Sequence, residues 1–354
     1  CDWSSDVCSS DLETFSTSSF FRDTSMKRSE DPPKFSLVVS NQHERESNRK
    51  LGDGMYPFGH LVQVQKETLL ELGNDIIARW SVAFNPTLES IHDSGPSNKV
   101  SVTFPWPGKY EVLVTDGSHT KKIMVYAKII RKEIRDLTDE DRESYFSALR
   151  TFYFTDDTKG MAMYGPDYKS IYYLIRQHLY GAASKECDHW HDGAGIITHH
   201  IGITWEFENS LRLIDDTTAA HYWDYTIESH YGIEWYNSPI FQDDWFGDNS
   251  PNDPDHTVTT GRFGYTPVMT NARDFSDITN PYGLLRSPWN TNPNPFLMRH
   301  NYTLGNFADR NSNFPDCDEF ANYLSSGSTT FAKISNVLNG KLHGPVHIMI
   351  GGHW

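Results

Sequence analysis

The sequence predicts two structural units, an all-β sandwich over residues 32–128 followed by a mainly α-helical bundle over residues 129–354. Three observations predict them. From Pro33 to Ala127, apolar and β-branched residues alternate with period two, the spacing of half-buried strands. After Ile130 they recur every three to four residues, the spacing of amphipathic helices. Residues 231–315 are rich in Pro, Asn, Asp and Gly, which predicts a long irregular segment laid over the bundle.

Residues 1–31 are Ser- and Asp-rich without periodicity, so they are expected to be a disordered tail. Its start, Cys1 to Leu12, lacks the basic beginning and apolar centre of a signal peptide and reads as a cloning or assembly artefact. In the β unit, His60–Gln65, Val100–Phe104, Lys109–Thr115 and Lys121–Ala127 read as strands. Pro96-Ser-Asn98, Pro105-Trp-Pro-Gly108 and Asp116-Gly-Ser118 read as the turns between them. His43, His60, His92 and His119 are expected at the surface, with no chemistry.

In the helical unit, Thr138-Asp-Glu-Asp141 reads as a capped helix start, with Tyr145, Phe146, Leu149 and Phe152 following on one face. Tyr168 to Tyr180 and Ile196 to Leu213 read as two further helices. On the second, Ile197, Ile201, Trp205, Glu208 and Leu211 have helical spacing, and His200 is placed on the buried face. Asp316 to Leu338 returns to short helices. A last helix is expected to start near His343, because Pro345 is tolerated only in a first turn.

The chain has 354 residues, enough for two domains. Its net charge of −16, from 31 basic and 47 acidic residues, argues against nucleic acid and anionic membrane surfaces as partners. No apolar run approaches the length of a membrane span. Four cysteines are too few for a disulfide scaffold; Cys187 and Cys317 are read either as a disulfide or as two free thiols. The sequon Asn301-Tyr-Thr303 leans towards a secreted or lumenal protein.

Two histidine clusters carry the chemistry. The first is His178, His191 and His200; the second is His343-Gly-Pro-Val-His347. On a helix, residues four apart share a face, so His343 and His347 suit a single ion. Imidazole suits copper, zinc and iron, and a site built only of imidazoles leaves open positions for a small ligand. His189 competes with His178 for a place in the first cluster. It is close to His191, but alternate residues of an extended segment point to opposite sides.

With Trp205-Glu-Phe-Glu208 and Tyr222-Trp-Asp-Tyr225 between the clusters, this order resembles the copper domain of the tyrosinase, catechol oxidase and hemocyanin family. The resemblance covers roughly residues 130–354, and Arg131 to Thr138 is similar to the usual lead-in. Before the third ligand the family reads Phe-Leu-Pro-Trp-His-Arg where this chain reads Ile-Ile-Thr-His-His-Ile, so His200 takes the ligand place and His199 the tryptophan place. The family's Leu-His-Asn-x-Val-His matches Leu342 to His347, with Gly344 in place of Asn. In the family that Asn, with a Glu in the helix ahead, holds a water that deprotonates monophenols; the Glu is replaced here by a residue near Ser335. A thioether is not supported, since its place is taken by His189. A hairpin over Phe104 to Val114 resembles an immunoglobulin-like or PKD-type sandwich.

The resemblance implies two coppers per complete domain, held in this chain by His178, His191, His200, His343 and His347. Glu208, Trp223 and Asp224 would fix imidazole tautomers or helix packing around them. The sixth ligand is expected beyond Trp354, so the domain reads as C-terminally truncated, with His353 a loop residue. The implied function is oxidation of o-diphenols, and less readily monophenols, to o-quinones with dioxygen. A hemocyanin-like oxygen carrier and a non-catalytic scaffold are the alternatives.

Overall fold

The computed structural model describes residues 35–41, 45, 59–85, 87–182, 188–191, 195–247, 256–268, 295–299, 313–325 and 330–351. The N-terminal tail, Cys187, the sequon at Asn301 and His353 lie outside them. The chain divides into two compact units, Cys1–Lys128 and Ile129–Trp354.

The first unit is β-rich. One sheet has three strands in the order β1-β3-β6, with β1 Leu37–Asn41, β3 Glu67–Leu72 and β6 Lys99–Thr103. The other has five in the order β2-β8-β7-β4-β5, with β2 Leu61–Gln63, β4 Ala78–Asn85, β5 Glu89–Ser97, β7 Gly108–Thr115 and β8 Thr120–Lys128. The alternation read from the sequence sets the buried face. Trp80, Val82, Tyr110, Val112, Val114, Val125 and Ala127 face inwards in the larger sheet, and Leu70, Leu72, Val100 and Val102 in the smaller. Each such aliphatic side chain contributes roughly 1.5–3 kcal/mol through burial. Pro96 is not in a turn as expected. It lies inside β5, an edge strand that skips a register step opposite Ala78 and Trp80, where a missing N–H costs no ladder bond. His119 is exposed as expected, while His60 and His92 are half-buried.

The second unit is helical. Thr138 accepts a hydrogen bond from the Asp141 N–H and starts α1 (Asp139–Phe154), whose buried face is Tyr145, Phe146, Ala148, Leu149 and Phe152. A short α2 (Asp157–Tyr164) follows. Next come α3 (Ile171–Ala182) and the long α4 (Gly195–Ile214), which packs against both α1 and α3. Helix α3 starts later than its periodicity predicts. Ser170 accepts from the Tyr173 N–H, and Tyr168 lies ahead of the helix, buried, with its hydroxyl on the Thr155 carbonyl. The buried face of α4 also differs from expectation. Ile196, Glu208, Ser210 and Leu211 are buried, but Ile201 and Trp205 are exposed.

Ahead of α1, the lead-in segment is tied to the chain after α4 by a parallel bridge between Glu133 and Tyr222. Arg135 is clamped by Glu133 and Glu228. Beyond α5 (Thr226–His230), the described residues up to 268 form short 3-10 turns and isolated bridges, the irregular layer that the composition predicts. The C-terminal helices are α6 (Cys317–Ser325), α7 (Phe331–Val337) and α8 (Gly344–Gly351). A π-helical turn, Leu338–Leu342, joins α7 to α8. Pro345 sits in the first turn of α8, where its missing N–H is not needed.

Candidate metal centre

His178 lies in the last turns of α3, His191 in the turn that follows, and His200 in the second turn of α4. The three rings converge: their centroids are 5.0–5.5 Å apart, and one nitrogen from each falls within 4.8 Å of the others. The turn is held in place by close packing that only glycine allows. A Cβ on Gly181 would sit 1.9 Å from the Trp190 ring, and one on Gly195 would sit 2.1 Å from the His189 carbonyl oxygen. Trp190 therefore wedges against α3. It meets the rings of His178 and His200 edge-on and stacks on His199.

Hydrogen bonds assign the protons on these rings. His191 Nδ1 is 2.6 Å from Asp188 Oδ2, His200 Nδ1 is 2.7 Å from the Ile196 carbonyl, and His343 Nδ1 is 2.7 Å from the Leu338 carbonyl. Each partner only accepts, so each Nδ1 carries the hydrogen and each Nε2 is left with a lone pair. His178 Nε2 faces His191 Nε2 at 3.3 Å.

His343 and His347 form the second group. They lie one turn apart, with ring centroids 4.7 Å apart, and the His347 N–H donates to the His343 carbonyl. The two groups face one another. Burial is the largest cause of the lowered pKa of His178, pushed down to about 3, and the charges of His191 and His200 lower it further. Burial also dominates at His200 and His343, with His343 acting on His200 and His191 on His343. His347 is lowered first by the protein around it and then by all four other imidazoles, yet its ring is exposed. An exposed ring keeps part of its hydration, so its depression is smaller than the crowding alone implies. Asn339 in the π turn donates to the His191 carbonyl and ties the two groups together.

Five imidazoles, three of them left with an Nε2 lone pair by their Nδ1 partners, fit a soft or borderline metal such as copper. The cluster contains His178 and not its competitor His189. His199 is exposed and stacks on Trp190. Glu208, Trp223 and Asp224 make their hydrogen bonds to groups other than these imidazoles. Glu208 takes both Arg131 nitrogens, at 2.7 and 3.0 Å, and the Ala220 N–H. Trp223 Nε1 points at Glu228, and Asp224 caps Thr226. Glu208 thus ties α4 to the lead-in segment, while Trp223 and Asp224 bond locally around the start of α5. The sequence reading missed Asp188, Asn339 and Trp190. Asp188 could have been found as an acidic residue three before a histidine, the spacing of a side-chain-capped turn. Cys317 is free and exposed.

Residues 168–354 match the family described as "Tyrosinase: Common central domain of tyrosinase", more than half of the chain, so the protein belongs to the tyrosinase family. Two curated relatives agree. A "Tyrosinase-like protein" of Pinctada maxima is 25% identical over 189 residues, 52% of this chain and 37% of the relative. A "Grixazone synthase" of Streptomyces griseus subsp. griseus is 24% identical over 188 residues, 46% of this chain and 57% of the relative. The chain thus spans between about a third and three-fifths of the length of these relatives. Among solved structures, "Crystal structure of Dpr1 IG1 bound to DIP-eta IG1" aligns to 22% of this chain and 92% of its own, at 11% identity and a TM-score of 0.16, too low to argue a fold. No helix among the described residues is long and apolar enough to cross a membrane.

Proposed function

We propose that this chain is a dinuclear copper oxidoreductase that converts o-diphenols to o-quinones with dioxygen. The balance is two catechols and one dioxygen to two o-quinones and two waters. One observation carries the reading: three imidazoles converge and face a second pair, with ring protons held away from the centre by Asp188 and backbone carbonyls. Bound copper would supply dioxygen binding and accept the two electrons of each catechol. Asp188 and backbone carbonyls fix the rings of His191, His200 and His343, and burial lowers the pKa of His178, His200, His343 and His347, so that protons compete less for their lone pairs.

We assign diphenol oxidation ahead of monophenol hydroxylation. Gly344 offers no side chain beside His343, and Ser335 is buried with an Oγ that has no hydrogen-bond partner among the described residues. Neither position carries a carboxylate or amide to hold a base-strength water against an incoming phenol. The N-terminal unit reads as an immunoglobulin- or PKD-like sandwich; its two sheets with inward alternation support this.

The test is to load the chain with copper and follow 4-methylcatechol by quinone absorbance and oxygen uptake. Quinone formed at two per dioxygen supports the reading. Reversible oxygen binding without quinone would favour an oxygen carrier instead, and absence of both would overturn the copper assignment.

A further inference from the structure

We infer that Asp188 is a positioning residue for the first metal: it selects the tautomer of His191 that leaves Nε2 free to bind. The inference rests on the metal reading above. The geometry shows a carboxylate with two separate tasks. Its Oδ1 accepts the N–H groups of Trp190 and His191, both at 2.9 Å, which closes the turn. Its Oδ2 meets His191 Nδ1 at 2.6 Å, the length of a charge-assisted bond. The side chain is only 8% exposed, so neither oxygen is free to swing into solvent. Three N–H groups converge on the two oxygens, the pattern that an ionised acceptor takes. An ionised carboxylate has no hydrogen to give, so the proton of the pair lies on Nδ1.

His191 needs such a partner more than its neighbours do. His200 and His343 sit in helical segments whose own carbonyls, four and five residues back, hold Nδ1. His191 lies in a turn, where no regular helix delivers a carbonyl to its ring. Its Nε2 also lies 3.3 Å from His178 Nε2, where a proton on the wrong nitrogen would block the centre. Asn339 secures the backbone at the same residue through the His191 carbonyl, so Asp188 is left to govern the ring.

The substitution Asp188→Asn separates the two tasks. Its amide oxygen can keep both backbone N–H groups, which turns the NH₂ towards His191 Nδ1. A donor there demands a lone pair on Nδ1 and moves the hydrogen to Nε2. The affinity of the full chain for its first equivalent of Cu(II), read by calorimetric titration, is expected to fall about 10–100-fold. Asp188→Glu, which keeps an acceptor, is expected to recover part of that loss. Far-UV circular dichroism identifies a variant that has not folded. In that case the ring ¹⁵N spectrum of the unmutated, metal-free chain decides. The His191 resonance, assigned by its loss in His191→Gln, is expected to show the Nδ1–H form. Unchanged copper affinity in a folded Asp188→Asn variant, or an Nε2–H form of His191 in the unmutated chain, would overturn the inference while leaving the metal reading intact. An unmutated chain that takes up no copper at all would overturn both.

Discussion

The Nε2 atoms of His178 and His191 lie 3.3 Å apart. Because Asp188 claims the Nδ1 hydrogen of His191, the only way to join the two rings without a metal is an Nε2–H of His178 donating to the His191 lone pair. A metal ion takes the place of that single proton, and His178 must then carry its hydrogen on Nδ1. Metal binding therefore moves the His178 hydrogen from Nε2 to Nδ1 and releases none.

Ligand identity follows directly. Replacing His178, His191 or His200 by Ala is expected to weaken the first copper by at least about a hundredfold, near 3 kcal/mol. His189→Ala and His199→Ala are expected to stay within about threefold, since neither ring belongs to the cluster. Copper titrations check this. Loss in His189→Ala but not in His178→Ala would show that the first ligand is misassigned.

Gly181 offers a test of packing. A Cβ there meets the Trp190 ring, so Gly181→Ala must displace either the indole or α3. We expect about 1–3 kcal/mol of destabilisation and weaker copper binding. Gly202 is the control, a helical glycine with nothing within 4 Å of a Cβ. Gly202→Ala should raise stability by about 0.5–1 kcal/mol and leave copper alone. Thermal melts of both variants decide it.

Glu208 should behave as a structural residue. It is 5% exposed and takes Arg131 and the buried Ala220 N–H. Glu208→Gln should lower stability by about 1–3 kcal/mol, the cost of weakening a charge-assisted pair whose arginine is partly solvated. Copper affinity in the folded variant should not move. A large change in affinity would restore Glu208 to the metal centre.

Acid should destabilise the metal-free protein. His221 is pushed down to about 4, by burial first and then by Lys132, and it accepts the Lys132 N–H on Nδ1. His178 shifts the same way. In the unfolded chain these rings titrate near 6.5, so between that pH and the folded value the unfolded state binds the extra proton. Stability is full above about 6.5 and falls with acidification, by up to about 1.4 kcal/mol per pH unit for each such ring. Melting temperatures between pH 8 and 4 measure it; a flat profile below 6.5 would contradict the assigned burial.

Gly344→Asn probes the reaction type. A Cβ at Gly344 comes no nearer than 3.6 Å, to the Asn339 carbonyl oxygen, so the position accepts a side chain's first carbon. If an amide beside His343 helps hold a base-strength water, the monophenol rate should rise relative to the diphenol rate, by up to the roughly 10²–10⁴ of a positioned base. An unchanged ratio would remove Gly344 from the argument.

Much of this was legible in the sequence because the signals are local. Thr138, Pro345 and the period-two strands each act within a few residues of themselves, and His343 and His347 share a face by spacing alone. The helix over Ile196 to Leu213 was legible in extent but not in orientation. Its apolar residues wrap around more than one side, so periodicity could not say that Ile201 and Trp205 face outwards. Trp190 and Asn339 escaped notice because their roles depend on contacts with other segments, Gly181 and the turn at His191, whereas Asp188 acts locally and carried a signal in its spacing. The π turn itself has no simple residue signature; it shows only as an extra residue per turn between Val337 and His343.

The two halves of the centre differ in what must exist before they do. His343 immediately precedes α8 and His347 lies in its first turn, so their spacing arises as soon as that helix forms, a local event of low contact order. His178, His191 and His200 come from two helices and the turn between them, and they meet only once Trp190 has docked against Gly181. On the proposed metal reading, the pair is therefore expected to be ready for a metal ion before the triad is, and uptake by the triad is expected to report that α3 and α4 have closed. Metal uptake would then be a clock for assembly, with an early two-imidazole site and a later three-imidazole one.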